Sequence, residues 1–599
     1  MKLVFSALIS AALVAGCAST GGLNYSAVLQ PEGASGHIEK PGWTMARFAV
    51  AAANPLAAEA GYQILKAGGS AADAAIAVQM VLALVEPQSS GLGGGALLMH
   101  FNGQEVEAFD GRETAPSTVD ENLFLGLDKK PMAFFDAVIG GRAVGTPGTV
   151  RMLEMVHQQH GKLPWTQLFE PAIALAEGGF RVSARLAELL ANDKYLARDP
   201  AAAAYFLDAK GQPWPSGHLL KNPELAALLR ALASQGSSAL HIGAVAQAIA
   251  DKVQHHPTNP GQLSLADLAA YRPKKRMPIC HDYQAASREL LICGFPPPSS
   301  GAIAIGQILG ILARTGAAQL PLEAGSQGNY GPTPSAEWLH LYTQAARLAF
   351  ADRAQYLADP DFVAPPANSW MSLLDPAYLT ERSLLIGSHS MKTVTPGVPI
   401  GSTTAFAPMA DQIEYGTSHI SIVDGYGNAL AMTSTIEYVF GSRQMVHGFL
   451  LNNELSDFSF APTDAKGHRI ANRVQPGKRP RSSMAPTLVL DKATRQLVIS
   501  GGSPGGALII HYTAKTLYGV LNWGLNTQQA INLPNFASLN GPTLLEEKRF
   551  PAATVDALKA RGHEVREINL NSGLQAIQRT ATGFFGGADG RREGVVKGD

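Results

Sequence analysis

The sequence has almost no net charge and few charged residues of either sign. Its 599 residues include 47 Lys and Arg against 48 Asp and Glu, and charged residues make up only 16% of the chain. Nucleic-acid binding needs an excess of basic over acidic residues to contact the phosphates, and this sequence has no such excess. Hydrophobic residues make up 46%, enough to bury a large core. We therefore expect a globular protein with no nucleic-acid partner.

Long hydrophobic runs are also scarce, and the first one stands at the start of the chain. The segment MKLVFSALISAALVAGC has one lysine, an apolar run too short to span a bilayer, and then small residues, which is typical of an export signal. Its end, from Val14 to Cys17, resembles a bacterial lipobox, in which the cysteine is lipidated and becomes the new amino terminus. The alternative is an ordinary signal peptide with a chance cysteine. Residues 18–40, rich in Ser, Gly and Ala, then resemble a tether.

The lipobox hypothesis also predicts a location. Ala18, rather than Asp, follows Cys17, and this favours the periplasmic face of the outer membrane. The ordinary signal peptide would instead leave the protein soluble in the periplasm. In the lipoprotein case the only membrane contact would be the lipid anchor.

Cysteine is rare, with three in the whole chain. Cys280 and Cys293 lie in RMPICHDYQAASRELLICGF, a predicted hairpin, and in an oxidising compartment they would form a disulfide across it. The alternative is two reduced, buried cysteines. The sequence has no Cys or His cluster with metal-ligand spacing and no phosphate-loop pattern, so we expect neither a metal nor a cofactor.

The elements that can be predicted alternate between helix-rich and strand-rich parts. In NPLAAEAGYQILKAGG, Asn54 can cap a helix and Pro55 suits its first turn, while Ser70 and Asp73 resemble a capping box for an apolar helix that follows. Residues 145–270 contain repeated amphipathic helical stretches, and from about residue 400 short β-branched runs predict hairpins. Helix layers that enclose sheet indicate a layered α/β (α+β) fold.

One hairpin, SHISIVDGYGNALAMTST, has a register that can be worked out. If its turn is centred on Tyr426, Val423 faces Ala429, and two-residue steps bring Thr417 opposite Thr435 on one face. Threonine also favours strands, so the pairing alone could be structural.

The residue before Thr417 is Gly416, which lets a neighbouring hydroxyl approach its carbonyl closely. If the chain is cut at this bond, Thr417 gains a free α-amine with a reference pKa of about 7.7 to 8.0. That amine could take the proton from the threonine's own hydroxyl, so that Thr417 would be nucleophile and base together.

Seven segments in order show a family resemblance: AFDGRETAP, VGTPGTV, GFPPPSSGA, YGTSHISIVD, LLNNELSDFSF, GKRPRSSMAPT and GGSPGGA. From about residue 48 to its end, the sequence resembles the gamma-glutamyltransferase family of N-terminal nucleophile hydrolases. The resemblance implies a four-layer αββα sandwich made as a precursor that cuts itself between Gly416 and Thr417. The large subunit, residues 41–416, and the small subunit, residues 417–599, would together form one domain.

The resemblance also implies an activity without a cofactor. Thr417 would attack the γ-glutamyl amide of glutathione or a related compound, hold the glutamyl group as an ester, and pass it to water or to an amino acid or peptide. Thr435 matches the second threonine that supports the nucleophile. Gly505 and Gly506, which open a helix, match the residues of the oxyanion hole.

Further matches concern the binding of the glutamyl group. Arg112 aligns with the clamp on the substrate α-carboxylate, a role suited to the forked guanidinium, and Ser482 and Ser483 match residues that hold the same carboxylate. Glu454 and Asp457 match the positions that bind the α-ammonium group. Each of these residues, taken alone, could equally be part of an ion pair or an ordinary loop.

Two positions depart from the family pattern. Glu437 stands where the family has asparagine, and a third carboxylate could either hold the ammonium group more firmly or take up a proton itself. Arg481 stands where a leucine commonly precedes the paired serines, so it could admit a second acidic group or pair with Glu437. Two other functions therefore stay open: a glutaryl-type (cephalosporin) acylase of the same fold, and an inactive, lipid-anchored binding protein.

Overall fold

The computed structural model of the protein describes residues 38–286, 288–324, 331–403, 406–410, 412 and 416–599. The predicted export segment with Cys17 and most of the predicted tether lie outside the described residues, as does Tyr415. Among the residues that the structure describes, no helix combines the length and the apolar character needed to cross a bilayer.

Two seven-stranded antiparallel sheets form the centre of the fold. In spatial order the first sheet consists of Val595–Gly598, Ala49–Ala52, Thr417–Val423, Ala429–Thr435, Gly95–Phe101, Val106–Gly111 and Lys274–Arg276. The second sheet consists of Trp43–Met45, Gly583–Ala588, Gln575–Thr580, Leu497–Gly502, Thr487–Asp491, Arg288–Gly294 and Ile279–Ala285.

Helices cover the outer face of each sheet. Those on the first sheet and around it are Pro55–Lys66, Ala71–Val85, Thr149–His160, Glu170–Gly178, Ala184–Asn192, Pro200–Phe206, Pro223–Gln235, Ser238–His241, Ala244–Gln254 and Leu265–Ala270. Those on the second sheet are Gly301–Leu312, Ala336–Tyr356, Pro376–Ser383, Ile509–Leu521, Thr527–Asn532 and Ala552–Ala560. One more short helix is Phe134–Val138.

Smaller elements connect these layers. The short strands are Phe180–Arg181 with Leu219–Leu220, Leu322–Glu323 with Thr333–Pro334, Met445–Val446 with Phe449–Leu450, and the set Phe536–Ala537, Thr543–Glu546 and Val565–Ile568. The 3-10 helices are Trp165–Phe169, Leu196–Arg198, Gly316–Gln319, Pro366–Asn368, Trp370–Leu374, Glu454–Asp457 and Gly506–Leu508.

The central hairpin shows why the layers stack in this way. On the strand Thr417–Val423, Ile420 and Ile422 join the core beneath the first helix layer. Val423 and, on the neighbouring strand, Ala431 join the core between the sheets, together with residues of the second sheet such as Ile499. Successive side chains of a strand point to opposite faces, so one strand serves both cores. The predicted four-layer αββα sandwich is thus confirmed.

The helix caps that the sequence predicts, and one of the two alternatives for its cysteines, are present in the structure. The Asn54 side chain accepts a hydrogen bond from the Leu56 N–H at 2.9 Å, with Pro55 at the first helical position. Ser70 and Asp73 form a capping box at the start of Ala71–Val85, a helix in which every residue is buried. In the second sheet, Cys280 pairs with Cys293 across the hairpin, and their sulfurs are bonded to each other, as the oxidised alternative predicts.

Candidate active site

The hairpin of the first sheet has the predicted register. Thr417 pairs with Thr435, and Val423 pairs with Ala429. Both threonines are buried, and they stand at the same end of the two central strands. The prediction of a facing threonine pair is therefore confirmed, and it places two hydroxyls next to the Gly416–Thr417 bond.

The hydroxyl of Thr435 contacts the carbonyl group of this bond. It donates a hydrogen bond to the Gly416 carbonyl oxygen at 2.6 Å and accepts one from the Glu437 N–H at 2.8 Å. The second bond fixes the oxygen of Thr435 so that its proton points toward the carbonyl. Such a donor polarises the carbonyl and would stabilise an oxyanion that forms there.

Close packing explains the glycine before Thr417. Gly416 has φ +105°, a conformation that side chains rarely adopt, and a Cβ built on it would lie 2.6 Å from the Glu437 carbonyl oxygen. On the other side of Thr435, a Cβ on Gly94 would lie 2.0 Å from the Thr435 carbonyl oxygen. Glycines at these two positions let three backbone segments meet around the threonine pair.

Arg112 lies just beyond the strand Val106–Gly111 and crosses the candidate site. Its Nη1 and Nη2 atoms pair with the carboxylates of Glu454 and Asp457, which belong to one 3-10 turn. Nε and Nη2 also donate to the carbonyl oxygens of Pro480 at 3.2 Å and Arg481 at 2.9 Å. Four N–H···O contacts thus use most of the five donors of the guanidinium.

The buried charges at this point shift one another's protonation. Burial would lower the pKa of Arg112, but the carboxylates of Glu454 and Asp457 outweigh that effect and raise it above its ordinary value. Burial raises the pKa of the neighbouring Glu113 well above its ordinary range, and the negative charge of Glu454 adds to this. The site therefore keeps a charged guanidinium beside a carboxyl group that favours its neutral form.

The paired serines are held from the second helix layer. Ser300 donates to the Ser482 carbonyl oxygen through its N–H at 2.7 Å and through its hydroxyl at 2.8 Å. Arg353, on the helix Ala336–Tyr356, donates to Ser483 Oγ at 2.5 Å and to Ser300 Oγ at 2.9 Å. Sequence reasoning missed Arg353, because nothing near it in the chain distinguishes it from other helical arginines.

Glu437 lies in the site with an unusual backbone conformation. It is buried and has φ +74°, in the left-handed region, and Asn453 Nδ2 donates to its Oε2. Asn453 Oδ1 accepts from the Tyr438 N–H at 3.0 Å, so this asparagine, also missed by sequence reasoning, orients the carboxylate. Nearby, Arg481 donates through Nη1 to the Arg353 carbonyl oxygen at 3.2 Å.

The two candidate oxyanion-hole glycines precede a helix, as predicted. Gly506 begins the 3-10 turn Gly506–Leu508, which leads into Ile509–Leu521. Gly505 has φ +134°, and a Cβ on it would lie 2.7 Å from the ring of Tyr512. Both the backbone angle and the tight contact require glycine here.

These elements meet at one small pocket. It is lined by Arg112, Thr417, Thr435, Glu437, Glu454, Asp457, Ser482, Ser483, Met484, Gly506 and Ile509. Every predicted substrate-binding residue lines this pocket. Of the two glycines, Gly506 lines it and Gly505 directly precedes Gly506 in the chain. The cavity has a volume of about 20 Å³, roughly the room for one water molecule, and the ion pairs of Arg112 with Glu454 and Asp457 form part of its wall.

Comparison with known proteins identifies relatives that match nearly the whole chain. The family profile described as gamma-glutamyltranspeptidase matches residues 57–599. The chain is 34% identical to the glutathione hydrolase proenzyme of Bacillus subtilis (strain 168), covering 92% of this chain and 91% of that one. It is also 34% identical to the acylase ACY 1 proenzyme of Pseudomonas sp. (strain SE83), covering 92% and 93%.

A solved structure shows the same architecture. The cephalosporin acylase of Bacillus halodurans superposes with a TM-score of 0.78 at 25% identity, covering 94% of this chain and 97% of that one. The profile match includes every residue that lines the pocket and six of the seven strands of each central sheet, since the strands Trp43–Met45 and Ala49–Ala52 precede it. The chain belongs to the gamma-glutamyltranspeptidase family.

Proposed function

We propose that the protein is a self-processing γ-glutamyltransferase and glutathione hydrolase whose nucleophile is Thr417. One observation carries this proposal: Thr417 lines a pocket with an arginine and three carboxylates, while Thr435 donates to the carbonyl of the preceding residue. The same threonine pair thus serves self-cleavage first and substrate turnover afterwards.

Self-cleavage begins at the Gly416 carbonyl. Thr417 Oγ attacks the carbonyl carbon, and the negative charge that develops on the oxygen is stabilised by the hydrogen bond from Thr435. The C–N bond then breaks, the Thr417 nitrogen takes up a proton, and Gly416 is left as an ester on the Thr417 oxygen. Water hydrolyses this ester, so that one chain ends at Gly416 and the other begins with the free amine of Thr417.

The released amine makes Thr417 self-sufficient as a nucleophile. With a reference pKa of about 7.7 to 8.0, the amine can accept the hydroxyl proton while Oγ attacks the γ-glutamyl amide. We assign the backbone N–H groups at Gly505 and Gly506 to the oxyanion of this second reaction, because they precede a helix at the pocket. The amine of the substrate leaves with the proton, and water or an acceptor amine then cleaves the glutamyl ester.

Substrate recognition requires an exchange of partners. Because the described contacts use four of the five N–H groups of Arg112, an incoming α-carboxylate can take a bidentate bond only if one of the present acceptors is displaced, and we assign this displacement to Glu454 or Asp457. The α-ammonium group of a glutamyl substrate can then pair with the carboxylate that Arg112 has released. Because the two exchanges depend on each other, the site should select groups that carry both charges, as glutamyl does.

The acylase hypothesis has support from the relatives with acylase names and from the acylase-like structure. A glutaryl group carries a carboxylate but no ammonium group, so it could replace only one half of the Arg112 contacts. It would also bring no cation to Glu437, Glu454 and Asp457, the three carboxylates that line the pocket. This charge pattern favours the γ-glutamyl substrate.

The experiment that separates the two functions compares γ-glutamyl anilide with glutaryl anilide on the same purified protein. We expect turnover of the γ-glutamyl compound, further release of aniline when glycylglycine is added as acceptor, and little turnover of the glutaryl compound. Faster turnover of the glutaryl compound would establish the acylase function instead. Thr417→Ala is the control without a nucleophile.

We also propose that the protein is an exported lipoprotein anchored through Cys17, since the start of the chain combines an export signal with a lipobox. Labelling with a radioactive fatty acid during expression checks this. The wild-type protein should carry label, and Cys17→Ser should not. An unlabelled wild-type protein in the soluble periplasmic fraction would favour the ordinary signal peptide.

A further inference from the structure

A second group of titratable side chains lies on the helix side of the first sheet, away from the pocket. His100 and Glu107 are cross-strand partners in the hairpin of Gly95–Phe101 and Val106–Gly111. His160 is the last residue of the helix Thr149–His160. The fold thus brings together three residues that no local sequence motif connects.

Their potential ligand atoms are close together. Glu107 Oε2 lies 2.7 Å from His160 Nε2 and 3.6 Å from His100 Nδ1, and one ligand atom from each residue lies within 4.8 Å of the others. The two imidazole rings stack with their centroids 4.0 Å apart. Two imidazoles and one carboxylate form a donor set that binds zinc in proteins.

His100 has no other role that the described contacts reveal. Its side chain is 1% exposed, and neither ring nitrogen makes a hydrogen bond with a described residue. Ala96 and Leu98, on the same face of its strand, belong to the apolar core, so packing there needs no imidazole. The contact of His100 with Glu107 Oε2, at 3.6 Å, is longer than a hydrogen bond. A buried polar group without a hydrogen bond is costly, and a bound ion would remove that cost.

We propose that His100, Glu107 and His160 bind a divalent transition metal of the zinc class. Tetrahedral zinc with bonds of about 2.0 to 2.2 Å holds its ligand atoms roughly 3.4 Å apart, so shifts on the order of 1 Å would complete the set. Three protein ligands leave the fourth position for water. The His160 side chain is 16% exposed, which gives the ion a route from solvent.

Lys275 gives the proposal a distinctive electrostatic test. Its ammonium group pairs with Glu107 Oε1, the oxygen that does not face the histidines, and its side chain is 48% exposed. A fixed positive charge next to a divalent ion weakens binding of the ion. Replacing Lys275 by a neutral residue should therefore tighten metal binding, although Lys275 supplies no ligand.

The metal site is separate from the chemistry at Thr417. Gly95 pairs with Thr435 at the active-site end of the hairpin, and His100 lies five residues further along the same strand. At about 3.4 Å per residue this is roughly 17 Å. The ion would tie the end of the helix Thr149–His160 to the sheet, so its effect should be on stability rather than on turnover.

The test is a zinc titration of untagged, chelator-treated protein, followed by competition with a chromophoric chelator. We expect one Zn²⁺ per wild-type chain, at least tenfold weaker binding in His160→Gln and in Glu107→Gln, and tighter binding in Lys275→Gln. His468→Gln is the matched control, since His468 is exposed and contacts Asp464 outside the cluster. Unchanged affinity in His160→Gln and Glu107→Gln, or no zinc binding by the wild type, would overturn the proposal.

Thermal unfolding supplies a readout that does not depend on activity. Zinc should raise the melting temperature of the wild type and of His468→Gln, but not that of His160→Gln, because an ion that binds only the folded state stabilises it. Each variant is first checked without metal for the wild-type unfolding transition. An equal rise in all three proteins would show that zinc binds elsewhere and would contradict the proposed ligands.

Discussion

The hydrogen bond from Thr435 to the Gly416 carbonyl oxygen predicts a specific defect in self-cleavage. Thr435→Val keeps the shape of the side chain but removes the donor, which lies 2.6 Å from the oxygen that becomes negatively charged. Removal of one oxyanion donor typically costs about 100- to 1000-fold in rate. Here the bond already exists before the reaction, so part of its free energy also stabilises the precursor and does not lower the barrier.

We therefore expect Thr435→Val to slow self-cleavage by about 10- to 100-fold. The assay follows freshly purified precursor over time by denaturing electrophoresis and measures the loss of the full-length band. Thr417→Ala, which lacks the attacking hydroxyl, should remain uncut throughout.

Thr433→Val provides a matched control for this experiment. Thr433 lies two residues away on the same face of the same strand, and its hydroxyl contacts His419 Nδ1 at 2.9 Å rather than the scissile carbonyl. We expect it to be cut at nearly the wild-type rate. If Thr435→Val were also cut at the wild-type rate, the assignment of Thr435 as the donor would be refuted.

Three other predictions follow from the site and the core. Arg112→Lys should raise KM for γ-glutamyl anilide by at least tenfold, because an ammonium group cannot form a forked pair with a carboxylate; unchanged steady-state kinetics would contradict the clamp. Gly416→Ala should block self-cleavage, since its Cβ would lie 2.6 Å from the Glu437 carbonyl oxygen, and electrophoresis would show an uncut chain. Burial lowers the pKa of His419 to about 3. Burial is also the largest of the causes that lower the pKa of His511 to about 3, so both imidazoles are neutral in the folded protein. Below about pH 6.5 these two histidines bind protons in the unfolded chain but not in the folded one. Between about pH 6.5 and about pH 3, each histidine therefore lowers the free energy of unfolding by up to about 1.4 kcal/mol for every pH unit. The melting temperature should accordingly fall from pH 7 to pH 5, and a constant value would contradict the buried neutral histidines.

Local patterns in the sequence were sufficient for much of the fold. The caps at Asn54 and Ser70 depend only on residues within one helical turn, and the structure forms both. The register of the central hairpin follows from a symmetric turn, which fixes every pair once its centre is known. The order of layers, in contrast, came from the family resemblance, because periodicity does not show which sheet packs on which helices.

The candidate site could be predicted only where its residues belong to recognisable motifs. Arg112, Glu454 and Asp457 were each placed by a motif, but their mutual ion pairs were not foreseen, since each residue was considered as a partner for substrate. Arg353 reaches the paired serines from a distant helix and has no signal in its own neighbourhood.

The contacts of Glu437 and of the histidine cluster also depend on the fold and could not be predicted from the local sequence. The departure of Glu437 from the family pattern was visible in the sequence, but its positive φ and its contact with Asn453 depend on the folded loop. The expectation of no metal rested on the spacing of ligands along the chain, whereas the hairpin register pairs His100 with Glu107 and the helix Thr149–His160 brings in His160, which is 60 positions from His100.

The central claim is that Thr417, freed by self-cleavage, carries the glutamyl group. Its most direct test is mass spectrometry of the purified protein after brief mixing with a γ-glutamyl anilide and quenching in acid. We predict a small chain that begins with the sequence Thr-Ser-His-Ile and carries one glutamyl group on Thr417. An uncut chain, a cut at another bond, or a glutamyl group attached to any other residue would contradict this account.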